Sequence, residues 1–309
     1  MALIIASIKN QESLGTTGTT FTENIRFGYN VTAFHLNVFA NKNSGTAATV
    51  QNLVDKITRI KLNTANGTPE STVDTDDLFD MNAQVFDIAR YCSILTSTDN
   101  IPHAFGVALP MSAQPNDPTK NFGLPAGQGV QFVYDTAADV SQDFDGYTTD
   151  LTVEGLDSKD KPNSLGYLRY QQDAYTAGAV GEVRETKIGT AKRLCGVYNF
   201  QTTSFNDLAA AAAFDVTGIR SQAITSSDQT QFDYKPSRSW TMGKIPQLAS
   251  YAAAAVITNV LDDGNFFADF GIRNDSQRIG LNVAGNPNVS VKTTAGVAEA
   301  LRVMPLSLV

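Results

Sequence analysis

Charge, histidine, cysteine and long apolar runs are all scarce in this chain. Asp, Glu, Lys and Arg make up 17% of its 309 residues, against roughly 25% in an average soluble domain. The two histidines, His35 and His103, lie far apart in sequence. Neither comes with a nameable partner for base catalysis or metal ligation. The two cysteines, Cys92 and Cys195, have no metal-ligand spacing. Both sit in apolar settings, YCSIL and RLCGVY, and read as buried free thiols rather than a disulfide. No run approaches the roughly 18 apolar residues of a membrane-spanning helix. The opening MALIIASIKNQ has no basic region ahead of its short apolar run, so it does not read as a secretory leader.

Catalytic signatures are missing too. There is no phosphate-cradling GxxxxGK[ST], no HExxH, no GxSxG and no CxxC. These absences argue against an enzyme. The net charge is −8 and the pI about 4.8. The densest basic groups are Lys56, Arg59, Lys61 and Lys187, Lys192, Arg193, no more than a solvated strand face carries. Phosphate contacts need clustered Lys and Arg, so no direct sequence-specific nucleic-acid binding is expected.

What the chain does have is 42% hydrophobic residues, ample for a sizeable core. The low charge suggests that much of the surface is covered by assembly contacts. Carboxylates are the abundant reactive groups. Asp74, Asp76, Asp77 and Asp80 form one cluster, Asp143 and Asp145 a second, Asp262 and Asp263 a third. Paired acids serve glycosidases, but nothing places two of them across a cleft, and one Trp is a thin sugar platform. Asp74, Asp76, Asp77 and Asp80 sit where the chain enters a helix. Capping by Thr75 or Asp76 accounts for them, with structural calcium held by their oxygens as the other reading. No other cofactor is expected.

The hydrophobic pattern is mostly that of short strands. In FHLNVFA, Phe34, Leu36 and Val38 face one way and His35, Asn37 and Phe39 the other. A strand is expected over Val54–Asn63, followed by a turn at Asn66-Gly67. Leu78, Met81, Val85, Ile88 and Ala89 follow helical spacing, so one helix is inserted here, running through Arg90. Strands resume at 100–110, 130–134 and 151–154; His103 precedes the apolar part of the first, and a turn position accounts for it. Residues 155–166, GLDSKDKPNSLG, read as a boundary between domains. Beyond it, strands are expected at 179–187, 194–200, 232–240, 266–272, 278–283 and 289–292, with an alternating tail at 298–309. The alanine-rich run at 205–214 is ambiguous, its composition favouring helix, and 248–261 reads as either a helix or a buried strand pair. Both halves thus share an architecture without a repeat visible in the residues.

Two segments carry a family resemblance. One is ITRIKLNTANGTPESTVDTDDLF at 57–79: an apolar strand, an Asn-Gly turn, then an acidic entry to a helix. The other is GVALPMSAQPNDPTKNFGLPAG at 106–127: a strand ending in Leu-Pro, a loop, and a resumption at FGLPA. In this order they resemble the double jelly-roll major capsid proteins of tailless icosahedral, membrane-containing bacterial and archaeal viruses. The resemblance implies an all-β chain of two consecutive eight-stranded jelly rolls with a few short helices. Its parts would be an N-terminal arm or first strand (1–20), a first jelly roll (21–160) and a second (161–309). It implies a non-enzymatic protein of the virion shell, assembled in the host cytoplasm. Three copies would form a pseudo-hexagonal capsomer that meets neighbouring capsomers, vertex proteins and an underlying lipid membrane. MALIIASI is the candidate for an inner-face or neighbour contact. The alternative is a secreted or phage-associated β-sandwich that binds carbohydrate.

Overall fold

Alternating apolar residues bounded by Gly, Asn and Pro turns give strands that bury one face, and two such sheets must pack face to face. The computed structural model describes residues 3–43, 50–86, 88, 91–92, 100–112, 123–138, 144–156, 166–201, 219–226, 229–234, 265–272, 280–286 and 288–309. The chain divides into two compact units, Met1–Leu168 and Arg169–Val309.

In chain order the first unit comprises β1 (Leu3–Ser13), β2 (Thr20–Arg26), β3 (Asn30–Lys42), α1 (Val50–Val54), β4 (Ile57–Thr64), β5 (Pro69–Asp74), α2 (Thr75–Phe86), β6 (Tyr91–Cys92), β7 (Pro102–Pro110), β8 (Gly129–Thr136) and β9 (Phe144–Leu156). Its sheets run β1-β9-β3-β7-β6 and β2-β8-β4-β5, with antiparallel neighbours. The second unit comprises β10 (Leu168–Tyr170, starting at the boundary), β11 (Asp173–Thr176), β12 (Val183–Lys187), β13 (Arg193–Gln201), β14 (Ile219–Ser226), β15 (Gln229–Tyr234), β16 (Phe266–Asp269), β17 (Leu281–Asn282), β18 (Val289–Ala295) and β19 (Ala300–Leu308). Its sheets run β10-β19-β13-β16, with β11 on β19 and β17 on β13, and β12-β18-β14-β15.

The two units follow one topology. Set aside the short β6 and β17, and count β10 with β11 as one broken strand. Among the described residues each unit then has eight principal strands, ordered 1-8-3-6 in one sheet and 2-7-4-5 in the other. This is the jelly-roll arrangement of paired Greek keys, and it occurs twice. The expected all-β double jelly roll with a few short helices is what the chain forms.

The first core is aromatic. Phe34 of β3 stacks on Phe132 of β8 across the sheets, with ring centroids 5.2 Å apart. Leu36, Val38, Ile60, Leu62, Leu151 and Val153 are buried around them. The second core is aliphatic, built on Leu194, Val197, Ile224, Val291, Leu301 and Val303. A buried polar bridge crosses it. Gln222 Nε2 donates to Asn199 Oδ1 at 2.7 Å and to Thr293 Oγ1 at 2.9 Å. Paired groups of this kind avoid the cost of an unsatisfied buried amide.

Several expectations need correction. Val50–Val54 is helical and the strand begins only at Ile57. α2 ends at Phe86 rather than Arg90. His103 lies inside β7, not in a turn; it is buried with its ring edge-on to Phe144. β2, β11 and β14 were not anticipated. Residues 3–13 form a strand paired to β9. Most of the 155–166 boundary segment and both alanine-rich runs lie outside the described residues.

Candidate assembly surfaces

The acidic cluster forms where β5 runs straight into α2. The Asn66-Gly67 turn, with Gly67 at φ 81°, folds β5 back along β4 and sets Arg59 opposite Asp74. Arg59 Nε then donates to Asp74 Oδ1 at 2.9 Å. Ligand oxygens of Asp74, Asp76 and Asp77 lie within 4.8 Å of one another. Asp80, one turn along α2, is buried and is not among the three. Asp76 Oδ1 accepts the Asp77 N–H at 2.9 Å. Thr75 does not cap, because its hydroxyl is buried without a hydrogen-bond partner among the described residues. Three converging carboxylates suit a hard cation such as calcium, and the Arg59 ion pair already offsets part of their charge. Asp143, Asp262 and Asp263 lie outside the described residues, and Asp145 sits in β9 opposite Asn41.

A cleft of about 350 Å³ in the second unit is lined by Ile224, Ser226, Leu281, Val283, Asn286 and Val289, among others, with no titratable side chain. His35 Nε2 lies 3.2 Å from Glu154 Oε2 on the outer face of the first sheet, where Thr32 Oγ1 also donates to Glu154 at 3.4 Å. Burial lowers the pKa of His103, and neighbouring Lys42 adds to this. Burial pushes the Cys195 thiol far up; Cys195 is a free, fully buried cysteine. An inert thiol and a neutral core histidine are structural features.

Two structural residues escaped the sequence reading. Lys56 was counted with a solvated basic group, yet it is buried. Its Nζ donates to Gly15 O at 3.1 Å and Ala137 O at 3.0 Å and sits 4.8 Å from the Tyr147 ring centroid. It ties two loops to the same end of the barrel. Asn82 of α2 lies beside the outer edge of β7. Its Nδ2 donates to Ala108 O at 2.8 Å and its Oδ1 accepts the Ala108 N–H at 2.8 Å. The amide thus continues the edge that β6 pairs at Gly106 and Phe105. Neither lysine-to-carbonyl nor amide-to-backbone partnership has a local sequence signal.

Sheet edges and faces are the surfaces on which such a scaffold can act. At one end of the first sheet, β6, α2 and Asn82 cover β7. At the other end, β1 pairs only with β9 among the described residues. Leu3 and Ile5 on β1 are 56% and 69% exposed. In the second unit, Val180 and Val183 stand out at the turn into β12, beside Arg184 and Glu185. The β2 edge carries Glu23 and Arg26.

No protein-family model matches the chain, and no curated protein matches it. Solved structures do. The STIV major capsid protein superposes with a TM-score of 0.63 at 10% identity, covering 100% of this chain and 97% of that one. The PBCV-1 virus capsid gives 0.59 at 14% identity, covering 99% and 94%. The major capsid protein of bacteriophage PM2 gives 0.58 at 9% identity, covering 100% and 98%. At such identities the likeness speaks of the fold, and it extends over both jelly rolls.

Proposed function

We propose that this chain is the major capsid protein of a tailless icosahedral virus, a structural component of the virion with no catalytic role. The observation that carries this reading is the coincidence of two jelly rolls in one chain with capsid proteins of nearly equal extent. Single jelly rolls serve many functions, and fold alone is a weak guide. A tandem pair matching these viral shells end to end narrows the field.

Under this reading three chains form a capsomer, because two similar barrels per chain give six around a threefold axis and approximate a hexagon. Hexagonal units tile a closed shell and also meet vertex proteins, and an internal membrane lies beneath. The sparse charge fits large contacts between barrels, since obligate interfaces are broad and poor in charged residues at their centres. The net charge of −8 fits a shell that leaves genome packing to other components. Capsid assembly would take place in the host cytoplasm. The carbohydrate-binding alternative gains no support from the uncharged cleft or from the similar structures. Electron microscopy of the purified chain tests the proposal. Hexagonal capsomers or closed shells are expected; dispersed single particles that bind a glycan panel would overturn it.

A further inference from the structure

We propose that the Leu3–Ser7 edge of β1 is a self-pairing site, through which two copies of this chain join antiparallel about a twofold axis at Ile5. The inference does not rest on the capsid reading, since any protein with this edge would pair in the same way.

The two halves of β1 are treated differently. From Ser7 onward the pairing with β9 is broken twice, between Ser7 and Lys9 and between Lys9 and Glu12. Gln11 adopts φ 52° there, and its N–H turns to Asp150 Oδ1 at 2.6 Å. Lys9 is tied to Glu12 at 3.2 Å and to Glu23 at 3.0 Å. Bulges and charges of this kind blunt an edge against pairing. Leu3–Ser7 has neither. Its register with Leu156–Thr152 is unbroken, it carries no charge or proline, and it leaves its outer backbone groups unpaired among the described residues. Leu3, Ile5 and Ser7 share the outer face with their register partners Leu156, Glu154 and Thr152, and there the two apolar side chains are largely exposed.

The occupant must offer alternate apolar residues on an uncharged strand. Among the described edge strands longer than two residues, every other one carries charge: β2 has Glu23 and Arg26, β12 has Arg184, Glu185 and Lys187, and β5, β10, β11, β15 and β16 each have at least one charged residue. β1 of a second copy is the edge that matches. With Ile5 on the axis, Ile5 faces Ile5, Leu3 faces Ser7 and Ile4 faces Ala6. No like charges oppose, and the contact is isologous, as a twofold interface requires. Five residues per copy bury less than the roughly 800 Å² per partner of a standard stable interface. The pair is therefore weak in dilute solution and accumulates where copies are crowded or held by other contacts.

Oxidative cross-linking of the full chain at high concentration reads the register directly. Residues directly opposite in an antiparallel pair have Cα atoms about 4.5–5.5 Å apart, within disulfide reach. Ile5→Cys should therefore give a disulfide dimer well above the level of the parent chain, which carries only Cys92 and Cys195. Leu3→Cys alone should not, because two copies of residue 3 would stand four residues, roughly 13 Å, apart along the strands. An equimolar mixture of Leu3→Cys and Ser7→Cys should restore the cross-link. A dimer yield for Ile5→Cys no higher than for Asn24→Cys on the β2 edge would overturn the proposal. So would Leu3→Cys cross-linking to itself as well as in the mixture, which would place the axis elsewhere.

Discussion

Replacing Asn82 probes how the first jelly roll closes its sheet. The Asn82 amide makes two 2.8 Å hydrogen bonds to the N–H and C=O of Ala108, and both residues are buried. Asn82→Ala removes both bonds and leaves a buried donor and a buried acceptor without those partners. Each such orphan costs about 1–3 kcal/mol. A water entering the vacated space recovers part of this, so a net loss of about 2–4 kcal/mol is expected. For a unit of this size that is a fall of roughly 5–12 °C in the melting transition. Hydrogen exchange at the Ala108 amide should accelerate in step. Asn82→Asp adds a sign test. Its carboxylate can still accept from the N–H, but the second oxygen faces the Ala108 carbonyl. Burial and that carbonyl favour the neutral acid, so the folded pKa rises above the unfolded value of about 4. The neutral acid's contribution is then full below the unfolded pKa and is lost as pH rises through the folded one. The Asp variant should thus approach the parent chain's stability in acid, while the Ala variant should not. A loss under about 0.5 kcal/mol for Asn82→Ala would refute the edge-closing role, since each orphan alone should cost more.

Other consequences are open to equally simple checks. Gly67→Val should destabilise the first unit by about 1–2 kcal/mol, because the turn holds φ 81° where β-branched residues are strained; an unchanged melting temperature would contradict this. A Cβ there meets only Gln131 Oε1 at 3.7 Å, so strain rather than collision is the cause. With Asp74 paired to Arg59 and Asp76 bonded to the Asp77 amide, EDTA should lower the melting temperature by less than about 2 °C, the equivalent of under about 1 kcal/mol. A larger drop restored by calcium would make the cluster a metal site. Burial raises the Cys195 pKa, so the native thiol should resist alkylation at pH 8 and react only on unfolding. Rapid labelling of Cys195 in the native protein, located by peptide mapping, would contradict its burial.

The legible parts of the fold were those written locally. β3 shows the period-two pattern of a half-buried strand: Phe34, Leu36 and Val38 are fully buried, while His35, Asn37 and Phe39 are partly exposed. Asn66-Gly67 announces the β4–β5 hairpin, and the acidic pair Asp76-Asp77 marks the first turn of α2. β2 and β14 were hidden because TFTENIR and IRSQAITS are rich in polar residues; β2 owes its strand state to pairing with β8, and β14 to β18 and β15 on its two sides. β13 was legible as the apolar run at 194–200 and β19 as the tail at 298–309, although both strands bury both faces and β19 carries Pro305, a residue unusual inside a sheet. The acidic residues were visible as a cluster, but the convergence of three without Asp80 depends on how β5 enters α2. Lys56 and Asn82 could not be read at all. Their partners lie 26 to 81 residues away, and only the closed barrel brings them together.

The central claim is that two jelly rolls in one chain serve to build a shell from trimers. Light scattering coupled to size exclusion measures it most directly, with electron microscopy of the same peak. The account predicts a mass near three times 33.1 kDa with a hexagonal outline, or larger closed particles. A monomer of 33.1 kDa that persists at every concentration up to the solubility limit would contradict it.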